Sequence, residues 1–138
     1  MRNLDRLAAQ TAQQIIAETT GFKASEVDNL TTKSLGVLQE NGVYAATLFL
    51  HSRTGPDAKV APSVRRHLLK LVASEIIEKD PPEDKAEKAL RFVTEHIAGD
   101  LDTLFLVKQV WEQTLIYARY GAKARGDKRD KSGKGDLQ

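Results

Sequence analysis

The chain has 138 residues, a net charge of +2, 29% charged residues and no cysteine. That length suits one domain able to bury a core without staples. The missing cysteines exclude disulfides and cysteine-ligated zinc or iron–sulfur clusters, and point to the cytoplasm. No stretch approaches the ~20 apolar residues of a membrane span. The N-terminal stretch, interrupted by Asp5, Gln10 and Gln13, does not read as a signal peptide.

Leu4, Leu7, Ala8, Thr11, Ala12, Ile15 and Ile16 recur at helical spacing, so a first helix is expected from about Asn3 to Thr20, closed by Gly21. A second follows with Ser25 as its N-cap and Val27, Leu30, Ser34, Leu35 and Leu38 as its inner face. Asn41-Gly42 breaks it, since glycine takes the left-handed conformation without steric cost. The third helix, Val43 to about Arg53, has no wide polar face and should be buried. Thr54-Gly55-Pro56-Asp57 reads as a loop. Ser63 is the expected cap of a fourth helix with the stripe Val64, Leu68, Leu71, Val72 and Ile76, stopped by Asp80-Pro81-Pro82.

A fifth helix is expected to open on Glu83-Asp84, acidic residues suited to a positive helix end, with Ala86, Ala89, Leu90, Val93 and Ile97 inward. The sixth runs from Leu101 to about Ala124, with Leu104, Val107, Trp111, Leu115 and Ala118 inward. No segment alternates over a strand length. The fold class is therefore all-α, a single domain of roughly six helices over residues 1–125. Phe49, Leu50, Leu90, Val93, Trp111 and Leu115 are expected to share its core. Gly126 to Gln138 holds one apolar residue, Leu137, and reads as a disordered basic tail.

Catalytic chemistry finds little footing. Pro56-Asp57 followed by Glu83-Asp84-Lys85 nominally fits a nuclease motif, but that chemistry needs adjacent strands around a metal. His51, His67 and His96 stand at no ligand spacing, and there is no phosphate-binding glycine loop. The expectation is no enzyme, no metal and no cofactor. Basic residues carry more signal. Arg66 and Lys70 share a helix face beside Arg65, and Arg119 and Lys123 share another, with Arg125 beyond and Tyr117 and Tyr120 interleaved. Such clusters serve as solvated helix ends or as phosphate contacts.

The stretch from Lys33 to Gly55 carries a resemblance. A helix, an Asn-Gly break, an apolar Thr47-Leu48-Phe49-Leu50 helix and a basic exit through Ser52-Arg53 resemble the small subunit of the type III-B CRISPR effector, the fifth protein of the Cmr complex. Lys33 stands at that family's lysine and Gly42 at its glycine; Leu35 replaces its usual proline. Arg2 to Ala17 and Leu104 to Ala124 resemble its first and last helices. The resemblance implies a non-catalytic, cytoplasmic ribonucleoprotein subunit in antiviral defence. Its partners would be the other Cmr subunits, copies of itself and the crRNA–target RNA duplex, with no membrane. The RNA-binding candidates are Lys33, Arg53, Arg65, Arg66, Lys70, Arg119, Lys123 and Arg125. The type III-A small subunit and a helical protein–protein adaptor stay open as alternatives. A helix-turn-helix DNA binder is disfavoured, because the helix after the tight turn is apolar.

Overall fold

Asn3 opens the first helix by accepting the Arg6 backbone N–H on its side-chain oxygen at 3.0 Å. In the computed structural model, residues 3–135 are described in backbone and residues 3–126 in side chain as well. Six α-helices follow in order: α1 Leu4–Glu18, α2 Ala24–Asn41, α3 Val43–His51, α4 Pro56–Val72, α5 Ala86–His96 and α6 Leu101–Gly135. A short π-helical turn, Ala73–Ile77, continues α4. The described residues contain no strand, and the fold is all-α as the periodicities predict.

The long α6 packs along α2 and α1; α4 lies against both of these, and α3 joins α2, α4 and α5. Trp111 sits in the core at 1% exposure, and its indole N–H donates to the Leu68 carbonyl at 3.0 Å. That bond ties α6 to α4 and satisfies a donor that burial would otherwise strand. Leu50, Val93 and Leu115 are buried with it, as expected. Phe49 is half-buried against the same core, and Leu90 is partly exposed while Phe92 takes the inward place on α5.

The break at Gly42 is one residue long. Its N–H donates to Leu38 O, closing α2, and its own carbonyl accepts from Ala46 N–H, opening α3. Its torsions, φ 94° and ψ −173°, are not the left-handed helical pair expected from sequence. They fall in the region that is open almost only to glycine.

Several boundaries differ from the sequence expectation, each for a local reason. Lys23, not Ser25, caps α2. Helix α4 starts at Pro56, not at Ser63, because proline fits the first helical position and Gly55 supplies a positive φ of 63° just before it. Its α-helical hydrogen bonding ends at Val72, and the chain leaves the π turn through Glu78 in the left-handed conformation. Helix α5 opens at Ala86, so Glu83 and Asp84 lie before it. Helix α3 is not wholly buried: Val43, Ala46, Thr47 and Leu50 face in, whereas Tyr44 and Leu48 face out. A two-and-a-half-turn helix on the domain's flank has an outer side whatever its composition. Helix α6 runs on to Gly135, beyond the expected end near Ala124. The expectation of a disordered tail concerns a stretch whose side chains from 127 onward, and whose residues 136–138 altogether, lie outside the described residues.

Candidate nucleic-acid interface

The eight candidate cations do not form one surface. Three arginines are turned onto the carboxyl ends of helices, where unpaired carbonyls and the negative dipole end attract them. Arg53 donates from Nε to Phe49 O at 2.9 Å, and its guanidinium carbon lies 3.6 Å from the Phe49 ring centroid. Arg65 donates to Leu50 O at 3.3 Å, on the same helix end. Arg125 crosses from α6 to donate to Ile16 O at 3.3 Å and Phe22 O at 3.2 Å, sealing the end of α1.

Arg65 also forms a two-pronged ion pair with Asp84, at 2.7 Å and 2.9 Å. Its side chain is only 18% exposed. The hydrogen bonds from Arg65 hold the Asp84 carboxyl below the usual carboxylate range, against a burial effect that pushes it up. His51 sits beside this pair. Its Nε2 is buried and makes no hydrogen bond among the described residues. Burial first, then the Arg65 charge, lower its pKa, with Asp84 opposing.

On the opposite side of α4, three residues grip Glu18, the last residue of α1. Ser63 Oγ donates to Oε1 at 2.9 Å, His67 Nε2 lies 2.7 Å from Oε2, and Arg66 lies 3.6 Å from Oε1. A carboxylate at a helix C-terminus opposes the dipole, and these partners offset that. Burial pushes the Glu18 carboxyl up, but the bonds from His67 and Ser63 and the nearby charges bring it below its ordinary value.

Lys33 reaches Asp57 at 2.9 Å and Arg119 reaches Asp28 at 3.5 Å. Asp57 and Asp84, two carboxylates of the nominal nuclease motif, are thus held in separate ion pairs on different elements. Among the described residues, no three metal-ligating side chains are grouped.

Lys70 and Lys123 face solvent, and the ion-paired Lys33 and Arg66 side chains remain 54% and 56% exposed, although Arg66 Nε also donates to Pro62 O at 3.0 Å. Arg66 and Lys70 stand one turn apart on α4. Lys70 lines a groove against α1 with Gln10, Gln14, Ser74 and Glu75. Sequence reasoning found the cations but missed their partners Glu18, Asp28, Asp57 and Asp84, and missed Ser63 and His67 as further partners of Glu18. Glu18 and Asp84 lie 45 or more and 19 positions from the residues they hold, so no local spacing marks them. No helix among the described residues is long and apolar enough to cross a membrane. No protein-family model matches this chain, and no curated protein is similar to it.

Proposed function

We propose that this chain is a non-catalytic, cytoplasmic small subunit of a type III-B CRISPR RNA-guided effector. In this reading it stacks beside the crRNA-bearing backbone and steadies the guide–target duplex through phosphate contacts. The observation that carries the reading is the joint at Gly42. A glycine-only backbone links α2 to the apolar α3 at the position where the resemblance puts it, within an all-helical chain. Arg66 and Lys70, exposed one turn apart on α4, suit a polyanion read by shape and phosphate position, with Gln10, Gln14 and Glu75 sharing the groove that Lys70 lines. Arg53, Arg65 and Arg125 serve helix ends in the free chain, which moves the phosphate-contacting role toward Arg66, Lys70 and Lys123.

The test is Arg66→Ala/Lys70→Ala in one variant and Lys123→Ala in another, each in the reconstituted complex. Target-RNA affinity is measured across a salt series. Each phosphate contact removed should lower the salt slope by about 0.7–0.9, whatever the RNA sequence. With magnesium or manganese the isolated chain should leave RNA intact. Unchanged affinity and slope in both variants would reject the RNA role. The adaptor reading, favoured by the exposed Leu101 and Phe105 at 65% and 61%, would then take its place.

A further inference from the structure

Asn41 ends α2 and Gly42 follows it. This pair carries chemistry that the fold does not use. The backbone nitrogen one residue past an asparagine can attack the asparagine side-chain carbonyl and close a five-membered ring. Glycine is the least obstructive residue to supply that nitrogen, having no side chain to crowd the approach. The chain has three asparagines, Asn3, Asn29 and Asn41, and only Asn41 precedes a glycine. The other two each precede a leucine. Asn41 is exposed, as is Glu40 before it, so water reaches the amide.

In the closed joint the reaction is blocked twice. The Gly42 N–H donates to Leu38 O at 2.9 Å, so the attacking nitrogen is held in a helix bond. Asn41 is helical, and a helical ψ of about −42° keeps the next nitrogen to one side of the Asn41 Cβ. Ring closure needs that nitrogen swung into line with Cβ. One rotation about ψ of Asn41 breaks the Leu38 bond and brings the nitrogen round, so a single opening removes both blocks. The opening is small. It lies at a helix end, where the last turn frays. Gly42 has the backbone freedom to absorb it while Val43 and Ala46 stay buried and hold α3 in place.

We infer that Asn41 is a self-modification site, gated by the hydrogen bond between Gly42 and Leu38. When the end of α2 opens, the Gly42 nitrogen bonds to Asn41 Cγ. The bond from Cγ to the side-chain nitrogen breaks, and ammonia leaves with the proton that Gly42 gives up. Water then adds to either carbonyl of the cyclic imide. Opening at Cγ gives aspartate; opening at the main-chain carbonyl gives isoaspartate, with the chain routed through Cβ. No oxidant or reductant is needed. Both products put a carboxylate beside Glu40 at the negative end of the α2 dipole. Isoaspartate also adds a carbon to the main chain in a joint one residue long, which draws the Gly42 N–H off Leu38 O. Each product therefore loosens the joint that formed it. The chemistry runs without RNA or a partner subunit, so it stands apart from the reading above.

The experiment incubates the full chain for weeks at neutral pH, in native buffer and in urea that unfolds it. Peptides are mapped by mass spectrometry, with isoaspartate and aspartate forms separated by chromatography. Conversion is expected at Asn41 and not at Asn3 or Asn29. It should be about tenfold or more slower in native buffer than in urea. Asn41→Gln should stay unconverted at that position, since its longer side chain must close a larger ring. Val43→Ala trims the first residue of α3 beside the joint and should speed native conversion. Ile15→Val, a comparable trim in the core of α1, should leave the native rate as it is. A folded chain that never converts at Asn41 while the unfolded chain does overturns the proposal. Equal rates in buffer and urea overturn the gate. So does equal acceleration by Val43→Ala and Ile15→Val, which would mean that only global unfolding exposes the joint.

Discussion

At Gly42 one backbone residue ends a helix and begins the next, and it does so at φ 94° with ψ near 180°. A Cβ built there meets nothing within 4 Å, so the cost of adding one is conformational and not steric crowding from neighbours. Gly42→Ala should therefore destabilise the fold by about 1–3 kcal/mol, read as a shift in the urea midpoint with an unchanged slope. Gly36→Ala is the control. Gly36 lies inside α2 with open space around it, and the same change there should be neutral or stabilising by up to about 1 kcal/mol. The need for glycine at position 42 was legible in the sequence, because Asn-Gly interrupts two apolar periodicities. Its actual torsions were not, since either of two glycine conformations ends a helix.

Helices with a broad inner face were legible as elements. On α6, Val107, Trp111, Leu115 and Ala118 are buried as their spacing predicts, with Leu104 partly so. Helix α3 was not, because a nearly uniform apolar segment has no polar face to mark its outside. The start of α4 was hidden for another reason: Gly-Pro signals a turn and a helix entry equally well. The largest gap concerned charge. Arg65 reads as a phosphate contact on α4, but in space it ties α4 to the segment before α5 and to the end of α3. A double-mutant cycle on Arg65→Ala and Asp84→Ala should show a coupling of about 1 kcal/mol, at the upper end for partly exposed pairs because the geometry is bidentate. Lysine at position 65 should recover only part of it, since a single ammonium cannot span both carboxylate oxygens. The same cycle with Arg66 in place of Arg65 should show a much smaller coupling, since Arg66 acts on Asp84 only through its charge and makes no hydrogen bond to it.

For the molecule as a whole, three shifted groups push stability the same way on acidification. His51 is held below the ordinary histidine value of about 6.5, so the unfolded chain binds its proton more readily. Stability from that group is fully present above about pH 6.5 and is lost as pH falls toward the folded value. Glu18 and Asp84 are also depressed, and their contributions are present above the ordinary carboxylate range and lost as pH falls through their folded values. Chemical unfolding from about pH 7 to about pH 5.5 should show a decline that His51→Gln removes. A second decline below about pH 4.5 should persist in that variant.

The stretch from Glu78 to Lys85 has a different consequence. It holds no helix, and apart from Pro82 its residues are exposed. It carries Lys79 and Lys85, and it is the one long break between α-helices that are otherwise joined by a few residues. Here the polypeptide offers a protease an exposed non-helical segment, while neighbouring peptide bonds are locked in helical turns. A chain cut at this point should stay assembled, which size-exclusion chromatography of the nicked protein without denaturant checks. The halves share the Trp111 bond to Leu68, the apolar seam of α6 with α1 and α2, and the Arg125 bonds to Ile16 and Phe22. The segment should also accept an inserted tag with the basic face of α4 left as it is.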